Sequence, residues 1–385
     1  MLHITVWMNL PSFHQGALFR ALSASEDIEL QVVFARDLPA DRIELGWDSD
    51  LTGFPYCFLD ERNRIADAAR LARSQRKRIH IVNGMWSEPA FAAALVTLAI
   101  SGGAYIIYSE APDPGQPRST VKRLLRGAFG RSLAPRAAGV LAVSHLAAEF
   151  YEGLNVDAGK LYPFGYFRSA PRETVRDSRD KNRIEIVFVG QLIRRKGVDI
   201  LLDAIQPLLE RHPNVFLIVI GGGELGDSIR QQAAALGIAD RVVFEGVAPS
   251  TRIPERLADA DLLVLPSRFD GWGMVVNEAL SVGTPVIVSD RCGSADLVRN
   301  EVNGYVFRGE DVVGLRRCLS KFPSSEPEWT TLRANAAATG ECISAEAAAS
   351  YLIDCLKHMT GAIRERPDPP WLIKDSLRPA HTFVT

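Results

Sequence analysis

Short runs of β-branched and aromatic residues alternate with helical patterns along the chain. In the first half HITVW, LQVVFA, RIHIVN, AYIIYS and GVLAVS read as strands, with helices expected over Gly16–Ser25, Asn63–Gln75 and Pro89–Ile100. These strands are apolar on both faces, and with helices between them they predict a parallel sheet covered on both sides. Residues 168–183, RSAPRETVRDSRDKNR, break the rhythm: almost no large apolar residue occurs there, as in an inter-domain linker. The alternation then restarts with IEIVFVG, VFLIVIGGG, RVVFEG, DLLVLPS and PVIVSD. The expected fold is α/β, two doubly wound Rossmann-like domains over 1–167 and 184–345. A C-terminal helix and tail over 346–385 are expected to pack back on the first domain. Open sheets of this kind bind ligands beyond the carboxyl ends of their strands, so two of them facing each other would enclose a cleft.

Length agrees, since 385 residues exceed what one hydrophobic core usually supports. A formal net charge of -2 gives no overall pull on nucleic acid, which is not an expected partner. The five cysteines are scattered and form no CxxC, which argues against a disulfide framework or a zinc site and fits a reducing, cytoplasmic setting. MLHITVWMNLPSF reads as a first strand and not as a signal peptide. Ala90 to Tyr108 is nearly charge-free and about long enough to span a bilayer. Gly102-Gly103 divides it, and Ser87 and Pro89 offer a helix start, so a buried helix, a turn and a buried strand are expected.

The richest stretch is SRFDGWGMVVNEALSVGTPVIVSD, 267–290. A strand ends at Ser267, a loop carries Asp270, Gly271 and Gly273, and a helix follows through Leu280. Small residues let backbone amides approach a ligand, and a helix N-terminus favours an anion such as a diphosphate. Asp270 and Glu278 are placed to accept from sugar and ribose hydroxyls. The plain alternative is a surface aspartate before a helix and a solvated glutamate. Upstream, Lys196-Gly197 also follows a strand, where a lysine can bind phosphate as a point charge. Three glycines, Gly221 to Gly223, follow the next strand.

In this order and spacing the pieces from Ile184 to about Val313 resemble the retaining glycosyltransferases of family 4, which have the two-domain GT-B fold. The resemblance implies a sugar transferred from a nucleoside diphosphate to a hydroxyl of a saccharide or lipid-linked glycan, with retention at the anomeric carbon. It implies that Asp270 touches the donor sugar and Glu278 the ribose. Gly271, Trp272, Gly273, Met274 and Val275 would form the loop whose amides hold the distal phosphate and sugar. Lys196 would meet the diphosphate, Gly246 and Val247 the base, and Gly222 and Gln191 would complete the donor site. No cofactor and no metal are expected. Two departures stand out: the family usually has Glu at 270 and Arg at 191, so this chain has a shorter acid and one phosphate-facing charge fewer, which Arg194 or Arg195 could replace.

The acceptor side is less distinct. The family's histidine after the strand preceding this region is absent, and AYIIY runs into SEAPD, making Glu110 and Asp113 candidates for contacting donor or acceptor. Glu110 stands with Lys196 and Asp270 as a candidate catalytic residue. The first loop, NLPSFHQGALF, offers His14 and Gly16 for an acceptor or phosphate contact, whereas His80 in a strand-like run reads as structural. Residues 118–136 carry Arg118, Lys122, Arg123, Arg126, Arg131 and Arg136, with Val121, Leu124, Leu125, Ala128 and Phe129 at helical spacing. Such a helix suits an anionic membrane surface, with peripheral attachment at its inner face, or packs its apolar side inward.

Rival readings have distinct signatures. Gly221, Gly223 and Gly226 fit GxGxxG with Glu245 downstream, the mark of an NAD-dependent oxidoreductase, although a full β–α unit precedes them. Asp48-Ser49-Asp50 and Asp259-Ala260-Asp261 are DxD pairs that would need further ligands to hold Mg²⁺. A catalytically degenerate nucleotide-sugar-binding protein is the third, motivated by Gln191, Asp270 and the missing histidine.

Overall fold

The structure, a computed structural model, describes residues 1–39, 50–86, 88–115, 120–167, 183–321 and 326–372. The chain forms two compact units, one of residues 1–169 with 344–370, the other of 170–343 with 371–385. The segment read as a linker lies almost wholly outside the described residues, as do Ser87, Arg118 and Asp48.

The first unit runs β1 (Leu2–Met8), α1 (Phe13–Ser23), β2 (Ile28–Phe34), β3 (Tyr56–Phe58), α2 (Arg64–Ser74), β4 (Ile79–Asn83), α3 (Pro89–Ser101), β5 (Tyr105–Glu110), α4 (Thr120–Leu133), β6 (Gly139–Val143), α5 (His145–Glu152) and β7 (Leu161–Phe164). Its parallel sheet has the order β3-β2-β1-β4-β5-β6-β7. The strand order reverses between β1 and β4. Trp7, Val82, Phe91, Leu95, Leu98, Ile107 and Tyr151 are buried in the core that fixes α3 and α5 on the sheet. Helix α3 begins with Pro89 in its first turn and ends at Gly102, whose φ of 71° supplies the left-handed cap. Among the described residues no helix is long and apolar enough to cross a membrane.

His80 is fully buried, as its strand position suggested. Trp7 Nε1 donates to its Nδ1 at 2.9 Å, so the proton belongs on Nε2, which faces the Gln75 carbonyl at 3.1 Å. Desolvation disfavours the imidazolium and brings its pKa down to about 4.

The second unit runs β8 (Ile184–Val189), α6 (Val198–Arg211), β9 (Val215–Ile220), α7 (Gly226–Ala235), β10 (Val242–Gly246), α8 (Ile253–Asp259), β11 (Leu262–Leu265), α9 (Val275–Ser281), β12 (Val286–Ser289), β13 (Gly304–Phe307), α10 (Val312–Ser320) and α11 (Glu326–Cys342). Its six parallel strands take the order β10-β9-β8-β11-β12-β13, reversing between β8 and β11. Asp261 of the second DxD, just before β11, ties it to β8: its carboxylate accepts from the Glu185 amide at 2.9 Å and from Arg333 at 2.5 Å.

The last helix, α12 (Ala345–Met359), belongs to the first unit. Lys357 Nζ reaches Asp27 at 2.8 Å, and Tyr162 Oη lies 2.6 Å from His358 Nδ1.

The two sheets are as the apolar runs predict, except at three edges. Strands β3, β7 and β13 had no counterpart in the sequence pattern. They are three, four and four residues long. Each ends its sheet, and β7 even contains Pro163, tolerable there because an edge leaves one set of amides unpaired. Helix α1 also starts three residues before Gly16.

Candidate functional site

The carboxyl ends of β8 and β11 meet at the reversal point of the second sheet, where α/β folds place ligands. After β8, a 3-10 turn, Arg194–Lys196, leads to Gly197, whose φ is 70°. A Cβ there would come within 2.2 Å of the Pro266 carbonyl oxygen, so only glycine lets this turn lie against the end of β11. That approach brings Lys196 to Asp270. Lys196 Nζ donates to Asp270 Oδ2 at 2.5 Å, and the side chains are only 15% and 13% exposed.

Asp270 is fixed through its backbone as well. It forms a parallel β-bridge with Cys292: its amide donates to the Arg291 carbonyl at 2.9 Å, and its carbonyl accepts from Gly293 at 3.0 Å. The Trp272 carbonyl accepts from the Ser294 amide at 2.7 Å. Gly273 then turns the loop into α9 with φ of 92°, where a Cβ would press on Leu265 at 2.8 Å. Cys292, buried behind Asp270, has its thiol pushed up by burial and by the aspartate's charge, so it stays protonated.

A clamp that sequence reasoning did not single out ties the two loops together. Arg268 holds Asp199, in the first turn of α6, through two bonds of 2.8 and 2.6 Å, and also bonds Glu310 at 2.9 Å. Its Nη1 donates to the Arg194 carbonyl at 2.8 Å, and its amide donates to the Arg195 carbonyl at 2.8 Å. Burial alone would raise the Asp199 pKa, but the hydrogen bonds and charge of Arg268 outweigh it and the carboxyl titrates below its usual range. Asp199 two positions after Gly197 was the available signal; its partner is 69 residues away.

The other donor-site candidates of this unit fall into four groups. Gly271, Trp272 and Gly273 are buried, while Met274 and Val275 are half-buried. The Trp272 indole points inward, its Nε1 donating to Asn277 at 2.7 Å, so this residue offers the loop only its backbone. Glu278, inside α9, is 7% exposed and engaged by neighbours. Gly222, Gly246 and Val247 gather at the ends of β9 and β10, where a Cβ on Gly222 would lie 3.0 Å from Val247, itself 70% exposed. Gln191 is exposed, directly after Gly190.

The glycine run is explained by packing. A Cβ on Gly221 would sit 1.9 Å from the Gly190 carbonyl oxygen, and one on Gly223 would sit 2.7 Å from the Leu192 carbonyl. These glycines let the β8 and β9 loops lie backbone to backbone, which removes the need for a dinucleotide fingerprint there.

Gly16 and Glu110 belong to the first unit. Gly16, read both as the end of the first loop and as the start of a helix, lies inside α1, and a Cβ would meet the Asp50 carbonyl at 3.2 Å. Glu110 ends β5, half-buried, paired in register with Val143. The His14 side chain lies outside the described residues. On α4 the apolar side is not packed inward as the second alternative required: Leu124 and Leu125 are each 66% exposed, among exposed Lys122, Arg123 and Arg126. The helix is anchored at its far end, through Phe129, Gly130 and Leu133.

Residues 171–339 match the family model for glycosyl transferases group 1. An uncharacterised glycosyltransferase of Methanocaldococcus jannaschii is 37% identical over 119 residues, 31% of this chain and 30% of that one. A GDP-mannose-dependent alpha-(1-6)-phosphatidylinositol monomannoside mannosyltransferase of Mycolicibacterium smegmatis is 30% identical over 199 residues, 50% of this chain and 49% of that one. The chain thus spans a third to a half of the length of these curated relatives. Among solved structures, Anabaena HepE in complex with UDP superposes with a TM-score of 0.70 at 19% identity, over 93% of this chain and 100% of that one. At that identity the likeness shows the fold, two Rossmann-like units as the sequence led us to expect.

Proposed function

Because residues 171–339 match the family model for glycosyl transferases group 1, we propose that the chain transfers a sugar from a nucleoside diphosphate to a hydroxyl group, with retention at the anomeric carbon. The observation that carries this reading is the Lys196–Asp270 pair at the reversal point of the second sheet. Breaking the bond between sugar and diphosphate leaves negative charge on the phosphate and positive charge on the sugar ring. A fixed ammonium and the amides of Gly271 to Met274 answer the first; the Asp270 carboxylate, accepting from sugar hydroxyls, positions the second. Glu278 anchors the ribose, and Gly246 with Val247 flank the base. We further propose that these cations and amides suffice without a metal ion, so activity of the purified protein persists in EDTA. UDP in the Anabaena structure and GDP-mannose in the mycobacterial relative's name support a nucleotide-sugar donor without choosing between them.

The acceptor we propose is a saccharide or lipid-linked glycan reached at an anionic membrane surface. Exposed Leu124 and Leu125 within an all-basic run support this, since a globular protein seldom leaves paired leucines in water on a cationic helix. A donor panel read by nucleotide release, followed by NMR of the product anomer, tests the activity. Binding without release would favour a catalytically degenerate binding protein, and neither binding nor release with any common nucleotide sugar would favour another function.

A further inference from the structure

Asp270 is held from two sides. Opposite Lys196, Arg195 Nη1 lies 3.6 Å from Asp270 Oδ1 and donates to the Phe269 carbonyl at 2.9 Å. Two positive charges therefore face one negative charge at the strand ends, a local excess of one. The Arg195 backbone is pinned by Arg268, whose amide donates to the Arg195 carbonyl at 2.8 Å. Its side chain is 34% exposed, more than twice the Lys196 value of 15%. Both of the contacts with Asp270 and Phe269 are made by Nη1, and Nε and Nη2 are the nitrogens that would meet an incoming anion. A guanidinium in this posture can keep its hold on the loop with one nitrogen and offer a fork of donors to phosphate oxygens. Gln191, beside the same turn, is exposed and neutral.

We propose that Arg195 is the second diphosphate-binding cation of this site, holding Asp270 when no donor is bound and meeting the phosphates when one is. The charge that position 191 does not supply then comes from four residues further along, through a side chain that also orders the 269–270 loop. This rests on the nucleotide-sugar reading above and specifies which side chains select a diphosphate over a monophosphate.

The test compares UDP with UMP, and GDP with GMP, by calorimetry on the wild type, Arg195→Met, Arg195→Lys and the double variant Gln191→Arg/Arg195→Met, with melting temperatures alongside. A lost charge-assisted contact should weaken the diphosphate by about tenfold in Arg195→Met while the monophosphate changes by less than about threefold. Arg195→Lys should fall between, and the double variant should regain most of the loss. A purely structural role would lower the melting temperature and weaken both nucleotides alike, with no rescue by Arg at 191. That result, or unchanged diphosphate binding, overturns the proposal. Should Arg195→Met not fold, the Arg195→Lys ratio of diphosphate to monophosphate affinity decides it. A wild type that binds no nucleoside diphosphate would instead overturn the underlying site reading.

Discussion

At Lys196 a single ammonium is committed to one carboxylate in a place only partly open to water, and that commitment makes it testable. Lys196→Ala removes the point charge facing the leaving group, and turnover should fall about 10²-fold, the usual cost of one preorganised donor; a loss within about twofold would contradict the role. Glu278→Ala should raise the donor KM more than it lowers kcat, because a ribose contact contributes equally to ground and transition states. His80 carries a different kind of prediction. Its folded-state pKa of about 4 lies below the ordinary 6.5, so the unfolded chain takes up the proton first as pH falls. The stability from keeping this ring neutral is complete above pH 6.5 and drains away towards pH 4, in total about 3 kcal/mol. Urea denaturation of the wild type between those limits should show that slope, and His80→Gln should flatten it.

At the scale of elements, glycines decide how closely two loops approach. Gly197 combines φ of 70° with a carbonyl 2.2 Å from any Cβ, whereas Gly246 has φ of 76° and nothing within 4 Å. Gly197→Ala should therefore destabilise by about 3 kcal/mol, through backbone strain and a clash that pushes β8 and β11 apart, and Gly246→Ala by about 1 kcal/mol, through strain alone. Equal losses in urea denaturation would show that the approach to Pro266 is not limiting. Much of this was legible in the sequence. Lys196 and Asp270 could be found because each follows an apolar strand and sits beside a glycine. The clamp between Arg268 and Asp199 could not, because nothing local marks two charges 69 residues apart as partners. The central strands announced themselves as continuous apolar runs, while β3, β7 and β13 stayed hidden because turn-forming residues, Pro55, Pro163 and Asn303-Gly304, interrupt or abut them. Helix α1 begins three residues earlier than expected, directly after Ser12, a residue type that favours a helix N-cap and was the signal for that start.

For the molecule as a whole, the question is where it meets its acceptor. Leu124 and Leu125 stand in water on a helix whose far end is anchored through Phe129 and Leu133. Replacing both by Ser should abolish co-sedimentation with vesicles of anionic lipid and leave nucleotide binding untouched; retained co-sedimentation would assign these leucines elsewhere. Raised salt should weaken the same association, since about 1 kcal/mol per basic residue near the surface is electrostatic. The second unit's chemistry is independent of that outcome. The most direct measurement is a calorimetric titration of UDP- and GDP-sugars into the wild type and into Lys196→Ala. At least one of them should bind the wild type and lose most of its affinity when the lysine is gone. No binding to the wild type, or equal binding to both proteins, would contradict the donor-site reading.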